Sequence, residues 1–467
     1  MLVPGRFERR VAAIGTASLL SVFLFFGMLA YWQVWRTDLA TDSHNPRTFA
    51  SFEDPLRGRI LDREGNELAV SLPSGKRRYT DASVAHAVGY LDARFGAQGA
   101  ELVFNDVLSG RAAPSLSAAM NTEFQREAVR GLDVRLTLDP AVQRAAAQAL
   151  GGRKGAVIAL DPRNGEVLAM VSVPTYDPGA LATVGEALAN DPNSPLLNRA
   201  AQGLYPPGST FKTVTAASLL ENNVITADTS VTCKDRVVID GFPVSCSNVL
   251  QGPGTYPFRN AFAFSVNAIF AEQGSKLGWG RLLASAAKFG FGSRLAFTLP
   301  TAKTQVHGEG TEETKTLLAS TAFGQGEILA TPLQMAEIAA IIANDGVLMS
   351  PHLGLASVDG DRIAEKLESP SSRRVLPSGV AKTMRELMVA VIDNGQASGV
   401  AMQGVKIGGK TGTAEISNDG TSHAWFIAFA PAEKPVIAVA VVVERGGRGG
   451  EVASPIAGQV IKAALGR

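Results

Sequence analysis

Ser209 and Lys212, three residues apart, follow directly on Tyr205-Pro206-Pro207-Gly208. The two prolines and the glycine end a loop, so the serine reads as the opening of a helix. Helical spacing then puts hydroxyl and amine on one face, a turn apart. In that arrangement an amine without its proton can activate a serine as a nucleophile. The free backbone N–H groups and dipole of a helix start also favour a developing anion. The spacing alone is cheap, since about two such pairs arise by chance in a chain this long. Ser285 and Lys288 repeat it inside an alanine-rich helical stretch with no turn before it, and read as an ordinary surface face.

Two further segments supply what the pair lacks. Ser265-Val266-Asn267 lies between two apolar helical runs. In a tight loop its hydroxyl and amide can both face a cleft, the first relaying a proton and the second holding a carbonyl. The blander reading is a helix cap, and Ser43-His44-Asn45 shows how little the pattern means alone. Gly408-Gly409-Lys410-Thr411-Gly412-Thr413 enters a late strand. Lys410 offers positive charge, Thr411 and Thr413 offer hydroxyls for a carboxylate, and Gly412 lets a peptide backbone lie along the strand edge. Its bland alternative is a glycine-rich turn feeding a strand.

The elements that must position these groups follow from pattern. Val11 to Tyr31 carries no charge and is long enough to span a bilayer. Arg6, Arg9 and Arg10 precede it, while Arg36 follows with Asp38 beside it, so the N-terminus is expected inside and the rest outside. Tyr31, Trp32 and Trp35 suit an interfacial belt, and no small-residue cleavage site follows. Residues 36–56 read as a polar stalk. Arg57 to Ala69 reads as a hairpin, Val134 to Asp139 as a strand, and 141–150 as a helix begun by Asp139 or Pro140 and closed by Gly151-Gly152. A new unit starts near residue 154 with the hairpin strands Ala156–Leu160 and Val167–Val173. Apolar runs near 213–220, 261–273, 281–289 and 332–343 read as helices. Val405–Ala414, Ala424–Ala430 and Val436–Glu444 read as strands, followed by a closing helix from Ser454-Pro455 to Leu465. Strands at both ends with helices between give an α+β chain built on one antiparallel sheet.

Composition bounds the chemistry. Hydrophobic residues make up 46% and charged residues 19% of the 467, enough for large packed cores and against global disorder. A formal net charge of +1 gives no electrostatic footing for nucleic acid. Two cysteines and five scattered histidines do not form a metal-site pattern. On the outer side of a membrane, Cys233 and Cys246 could form a disulfide, or could stay as buried thiols. His86, His307 and His423 read as structural, Glu166 as an exposed strand residue after a turn, Trp425 and Phe426 as core, and Tyr205 as either lining a cleft or packing under the loop.

The three segments, in this order, are a known signature of penicillin-recognising serine enzymes. The whole chain resembles the class B penicillin-binding proteins, monofunctional peptidoglycan transpeptidases, and among them the short penicillin-binding protein A type. Further segments carry the likeness: Arg57-Gly58-Arg59 with Leu61-Asp62, Ala159-Leu160-Asp161-Pro162, Gly165 to Met170, Pro174 to Pro178, Asn198-Arg199-Ala200, Gly324-Gln325-Gly326, Thr331 to Gln334 and His423 to Phe426. The resemblance implies a penicillin-binding/β-lactamase-like serine transpeptidase domain, an antiparallel sheet packed with helices, on a small N-terminal pedestal. It divides the chain into a cytoplasmic tail (1–10), a transmembrane anchor (11–31), a stalk and dimerisation-like pedestal (32–152) and a transpeptidase domain (153–467). The pedestal is short for the family.

The resemblance also implies roles. Ser209 is the nucleophile, Lys212 its base, Ser265 the proton relay supported by Lys410, and Asn267 the holder of the peptide. Thr411 and Thr413, with Gly412 between them, bind the terminal carboxylate, and the N–H groups of Ser209 and Thr413 form the oxyanion hole. The substrate is a stem peptide ending in D-Ala-D-Ala, β-lactams acylate the same serine, and no cofactor is needed. The implied surroundings are the cytoplasmic membrane and a polytopic glycosyltransferase of the shape, elongation, division and sporulation family, with no nucleic acid. Rival readings are a D,D-carboxypeptidase or β-lactamase, a β-lactam sensor, and a mainly non-catalytic activator of that glycosyltransferase. About ten residues ahead of the anchor leave no room for a signalling domain.

Overall fold

Residues 4–31, 54, 56–110, 130–246, 253–416 and 420–467 are described by a computed structural model. The helix Pro4–Ala30 contains a stretch, Arg10–Ala30, of 21 residues with a mean hydropathy of 2.0. That is about 30 Å of helix, enough to cross the hydrocarbon of a bilayer. None of it is buried against the rest of the chain, so Phe23 and Leu24 stand open. Trp32, Trp35 and Ser43-His44-Asn45 lie outside the described residues.

Five strands form the larger sheet, in the order Gly408–Glu415, Ser422–Ala430, Ile437–Val443, Gly155–Leu160, Val167–Val173, with every neighbour antiparallel. Successive side chains on a strand alternate faces, yet every residue of Ile437–Val443 is buried. Both faces are therefore covered, which is why this strand reads as a continuous apolar run. The covers are the wholly buried helix Pro332–Ala343, the helix Ala453–Ala464, and Pro140–Leu150 packed beside the latter. Asp139 caps Pro140–Leu150 by accepting from the N–H groups of Ala141 and Val142.

The smaller sheet runs Arg362–Lys366, Gly354–Asp359, Asp133–Leu136, Ile60–Leu61, Glu67–Ser71, Arg77–Tyr79. Ile60–Leu61 pairs parallel with Asp133–Leu136, and the other pairs are antiparallel. Two of its six strands come from beyond residue 353, and Pro140–Leu150 packs on the larger sheet. A cut at residue 152 therefore does not separate the two sheets. Residues 350–354 thread between them: Thr137 donates from its N–H to Leu353 O and from Oγ1 to Val167 O, and Val167 N–H donates to His352 O. Glu166, expected as an exposed strand residue, is half-buried and paired at 2.6 Å with Arg63, so it too joins the units.

Several elements differ from the sequence pattern. The run 261–273 is two helices, Phe258–Ala263 and Asn267–Leu277, broken at Ser265. Helices at Leu181–Ala189, Lys315–Ala322 and Ser378–Asp393 and the short hairpins between 230 and 257 are additional. Cys233 and Cys246 are disulfide-bonded and close the base of the hairpin Arg236–Ile239/Phe242–Ser245.

Arg57-Gly58-Arg59 has a clear physical role. The Arg57 guanidinium donates to Glu101 at 2.7 and 3.0 Å and to Asn105 Oδ1 at 2.8 Å, while Arg59 reaches the opposite way to Asp133 at 2.7 Å. Gly58 between them has no room for a side chain, because a Cβ would overlap the carbonyl of Leu132. Arg77 reaches Glu101 at 2.6 Å from the other side. Burial pushes the Glu101 carboxyl up, but the guanidiniums of Arg77 and Arg57 outweigh it and hold it below the usual value. This stabilisation is complete above the ordinary carboxylate range and is lost as pH falls through the depressed value. Glu101→Ala would strand two buried guanidiniums and destabilise the pedestal by about 3–5 kcal/mol. Hydrogen exchange across residues 57–108 reads the loss; wild-type protection in the variant would contradict it.

Candidate active site

Ser209 lies on a 3₁₀ turn, Gly208–Phe211, that runs into the α-helix Lys212–Glu221. The serine thus stands one tight turn ahead of the helix instead of opening it. Close packing fixes the turn on three sides. Gly208 has φ +54, and a Cβ on it would lie 2.8 Å from Thr413 O. A Cβ on Gly324 would overlap Gly208 O, and one on Gly412 would come within 2.9 Å of Pro207 O. Contacts this close exclude any other residue and weld the turn to the Lys410 strand and to the loop at Gly324.

Below the turn, Trp425 Nε1 donates to Pro206 O at 2.9 Å. Tyr205 exchanges both backbone bonds with Ala330 and donates its hydroxyl to Glu444 at 2.8 Å. Arg199, 2% exposed, donates to the same Glu444 oxygen at 2.8 Å. Tyr205 is therefore packed under the loop. Burial pushes the Glu444 carboxyl up, but hydrogen bonds from Tyr205 and Arg199 and the charges of Arg199 and Lys154 hold it low.

The Lys212 and Lys410 side chains are both fully buried. Lys212 Nζ donates to Ser265 O at 2.8 Å and Asn267 Oδ1 at 2.6 Å, lies within hydrogen-bond distance of Ser265 Oγ at 3.0 Å, and is 5.2 Å from the centre of the Phe270 ring. Lys410 Nζ reaches Ser265 Oγ at 2.9 Å and Thr411 O at 3.0 Å. One hydroxyl thus sits between two amines. Ser265 holds this position with φ +59, a region uncommon for a residue with a side chain and frequent at functional turns. Burial, with the neighbouring charge of Lys410, drives the Lys212 amine well below its ordinary pKa. Burial brings Lys410 down to about 7.

Counting protons gives the chemistry. A charged Lys212 would spend all three N–H groups on Ser265 O, Ser265 Oγ and Asn267 Oδ1. A neutral one gives its two N–H groups to the two carbonyl-type acceptors and keeps a lone pair. That lone pair can accept from a hydroxyl, so the buried amine is a base. Among the described residues no hydrogen bond joins Ser209 Oγ to it, as is common before substrate tightens a site.

The expected residues therefore converge: Lys212 meets Ser265 and Asn267, Lys410 meets the same Ser265, and Gly412 and Thr413 of the Lys410-Thr411 strand pack against the Ser209 turn. Thr411 is buried and Thr413 exposed. Ser285 is not a surface residue as its pattern suggested; it is 3% exposed and donates to Ser218 Oγ at 2.7 Å, locking two helices together, while Lys288 pairs with Glu221. His86 is buried, and His423 accepts from Arg445 N–H. Trp425 and Phe426 are fully buried.

Two contributors have no signature in the sequence. Gln396 accepts from Thr411 Oγ1 at 3.2 Å and donates from Nε2 to Phe264 O at 3.0 Å, tying the Lys410 strand to the Ser265 loop. Glu444 carries the brace under the Ser209 turn. No motif marks either, because their partners lie more than a hundred residues away or, for Thr411, across a bend.

The family model of the penicillin-binding protein transpeptidase domain matches residues 155–462. The peptidoglycan D,D-transpeptidase PbpA of Mycolicibacterium smegmatis is 36% identical, over 98% of this chain and 98% of that protein. PbpA of Mycobacterium tuberculosis is 35% identical over 93% of this chain and 94% of its own. The structure of penicillin-binding protein A from M. tuberculosis as a ceftriaxone acyl-enzyme complex superposes with a TM-score of 0.80 at 34% identity, covering 88% of this chain and 98% of that one.

The two amines predict a pH profile. Burial and the charge of Lys410 favour the neutral Lys212 amine, whereas Lys410 loses its charge as pH rises through about 7. Labelling of Ser209 by a fluorescent penicillin, which carries a carboxylate, should slow along that limb. Lys410→Arg, charged throughout, should move the limb upward. A flat profile across the neutral range for the wild type would contradict the assignment.

Proposed function

Because the chain belongs to the penicillin-binding protein transpeptidase family, as a class B serine-type peptidoglycan D,D-transpeptidase, we propose that Ser209 is its nucleophile and Lys212 its base. The observation that carries this is the buried amine pair sharing Ser265 Oγ beside the Ser209 turn.

Ser209 Oγ attacks the carbonyl carbon between the two D-alanines of a stem peptide, and its proton passes to the lone pair of Lys212. The N–H groups of Ser209 and Thr413 receive the oxyanion. As the tetrahedral intermediate collapses, the C–N bond breaks. Lys212 returns a proton to Ser265 Oγ, and Ser265 gives its own to the departing D-Ala amine. Lys410, charged, polarises Ser265 and with Thr411 and Thr413 faces the substrate carboxylate. Asn267, its Oδ1 held by Lys212, has its NH₂ for the peptide carbonyl. An amine of a neighbouring stem peptide then attacks the ester, its proton goes to Lys212, and Ser209 is regenerated as the new amide forms. β-Lactams enter at the first step and remain as the ester.

The helix Arg10–Ala30 supports an anchored protein, and the arginines ahead of it support a cytoplasmic N-terminus with everything after the anchor outside. Residues 1–10, 11–31, 32–152 and 153–467 then serve as tail, anchor, stalk with pedestal, and transpeptidase domain, the last lending two strands to the pedestal. A phosphatase fused after residue 467 should be active only if exported; activity confined to cytoplasmic fusions would reverse the orientation.

The anchor and pedestal also suit a polytopic glycosyltransferase partner of the shape, elongation, division and sporulation family. Ser209→Ala tests both roles. It should abolish fluorescent-penicillin labelling and cross-linking, while glycan polymerisation by such a partner persists. A Ser209→Ala protein that still labels would refute the nucleophile, and unchanged cross-linking in its presence as sole enzyme would refute the reaction.

A further inference from the structure

The reading above sets both Thr411 and Thr413 at the substrate carboxylate, yet their surroundings are not alike. Thr411 is 4% exposed, whereas Thr413 is exposed. Thr411 Oγ1 lies 3.2 Å from Oε1 of Gln396, and Nε2 of the same side chain lies 3.0 Å from Phe264 O. A backbone carbonyl only accepts, so the amide nitrogen must be the end at Phe264. Turning the amide over would set two oxygens against each other there. The end at Thr411 is then an oxygen without a proton, and Thr411 has to donate to it. A hydroxyl has one proton. While the bridge stands, Thr411 has none for a carboxylate. Thr413 is in the opposite state: its Oγ1 accepts from Gly449 N–H at 3.5 Å, which leaves its own proton free.

The backbone holds Gln396 where it is, just beyond the helix Ser378–Asp393. A Cβ on Gly395 would lie 2.5 Å from Ala263 O, and one on Gly450 would lie 2.6 Å from Gln396 O and 3.6 Å from Thr411 Cγ2. Gln396 is thus clamped between the end of the helix Phe258–Ala263 and the loop at Gly450. Neither contact uses the Gln396 side chain, so the amide can be removed without undoing the backbone that carries it.

We propose that Gln396 is a positioning residue for substrate recognition: it takes up the Thr411 proton and so leaves the terminal carboxylate to the Thr413 hydroxyl and Lys410. This rests on the transpeptidase reading above and divides the labour of the two threonines within it. The sign of the consequence is distinctive. Loss of a side chain that only braces the site weakens recognition. Loss of this one releases a second donor, two residues from Thr413 on the same side of the strand, and recognition should gain.

The test uses the full chain in detergent and two probes, benzylpenicillin and its methyl ester, which differ at the carboxylate alone. Acylation is followed by intact-mass spectrometry, and the ratio of the two second-order rates measures the preference for a carboxylate. A disturbance of the proton relay acts on both rates and cancels in the ratio. Gln396→Ala, and Gln396→Met with its closer size, should each raise the preference about threefold or more, a part of the worth of one hydrogen bond to a charged group. Adding Thr411→Val to either should remove that gain. With Gln396 in place, Thr413→Val should lower the preference about tenfold, and more than Thr411→Val does. Acylation by the ester shows that each variant is folded. A preference that falls or holds in both Gln396 variants, a gain that survives Thr411→Val, or a greater loss from Thr411→Val than from Thr413→Val would each overturn the proposal. Acylation that persists in Ser209→Ala would instead overturn the nucleophile assignment beneath it, so the two failures are told apart.

Discussion

The arrangement on which the rest depends is the sharing of one hydroxyl by two buried amines. Water would keep both lysines charged, and two charges so close would repel. Burial removes the water and lowers both amines, and the charge of Lys410 presses on Lys212 in addition. Under the proposed roles, that added pressure lets one fold hold a base and a cation a hydrogen bond away from the same Ser265. It also explains the apolar company the amines keep, with Phe270 beside Lys212 and Phe262 6.0 Å from Lys410. A large sheet covered on both faces makes such a dry place possible.

Keeping the amines dry while leaving Ser209 reachable requires thin walls. The glycines at 208, 324 and 412 provide them, since backbone packs on backbone where side chains would have held the parts apart. The polar braces then fix what close packing leaves free. Glu444 collects Arg199, Tyr205 and, at 3.3 Å, Lys154 under the Ser209 turn. Gln396 sets the distance between the Ser265 loop and the Lys410 strand. Under the proposed roles these two residues touch no reacting atom, yet they hold the geometry on which proton transfer depends.

The cleft was legible in the sequence because its groups sit in short segments with telling neighbours. The Pro-Pro-Gly turn ahead of Ser209 separated it from Ser285, which has the same spacing but no turn. Even there the pattern erred about Ser285, whose hydroxyl is satisfied by Ser218, a partner that spacing cannot reveal. The large sheet was legible for a similar reason, since four of its five strands are mainly apolar runs and the fifth carries the Lys410-Thr411-Gly412 segment. The helix Ser378–Asp393 had a readable stripe in Ala381, Met384, Leu387, Met388, Val391 and Ile392 and was still missed, because polar residues between them masked it. Gln396, Glu444 and the assembly of the smaller sheet were not legible, although its hairpin between Arg57 and Ala69 and its strand at Val134 were. Each depends on partners brought together only by the finished topology.

That smaller sheet carries a consequence for how the molecule is made. Its central strand Asp133–Leu136 has Ile60–Leu61 on one side and Gly354–Asp359 on the other. A growing chain would emerge with the N-terminal strands in hand and one flank of Asp133–Leu136 bare until more than two hundred further residues had followed. Joining ends so far apart is entropically slow. The part synthesised first is thus among the last to close, and until then the nascent chain carries an unpaired strand edge of the kind that invites aggregation.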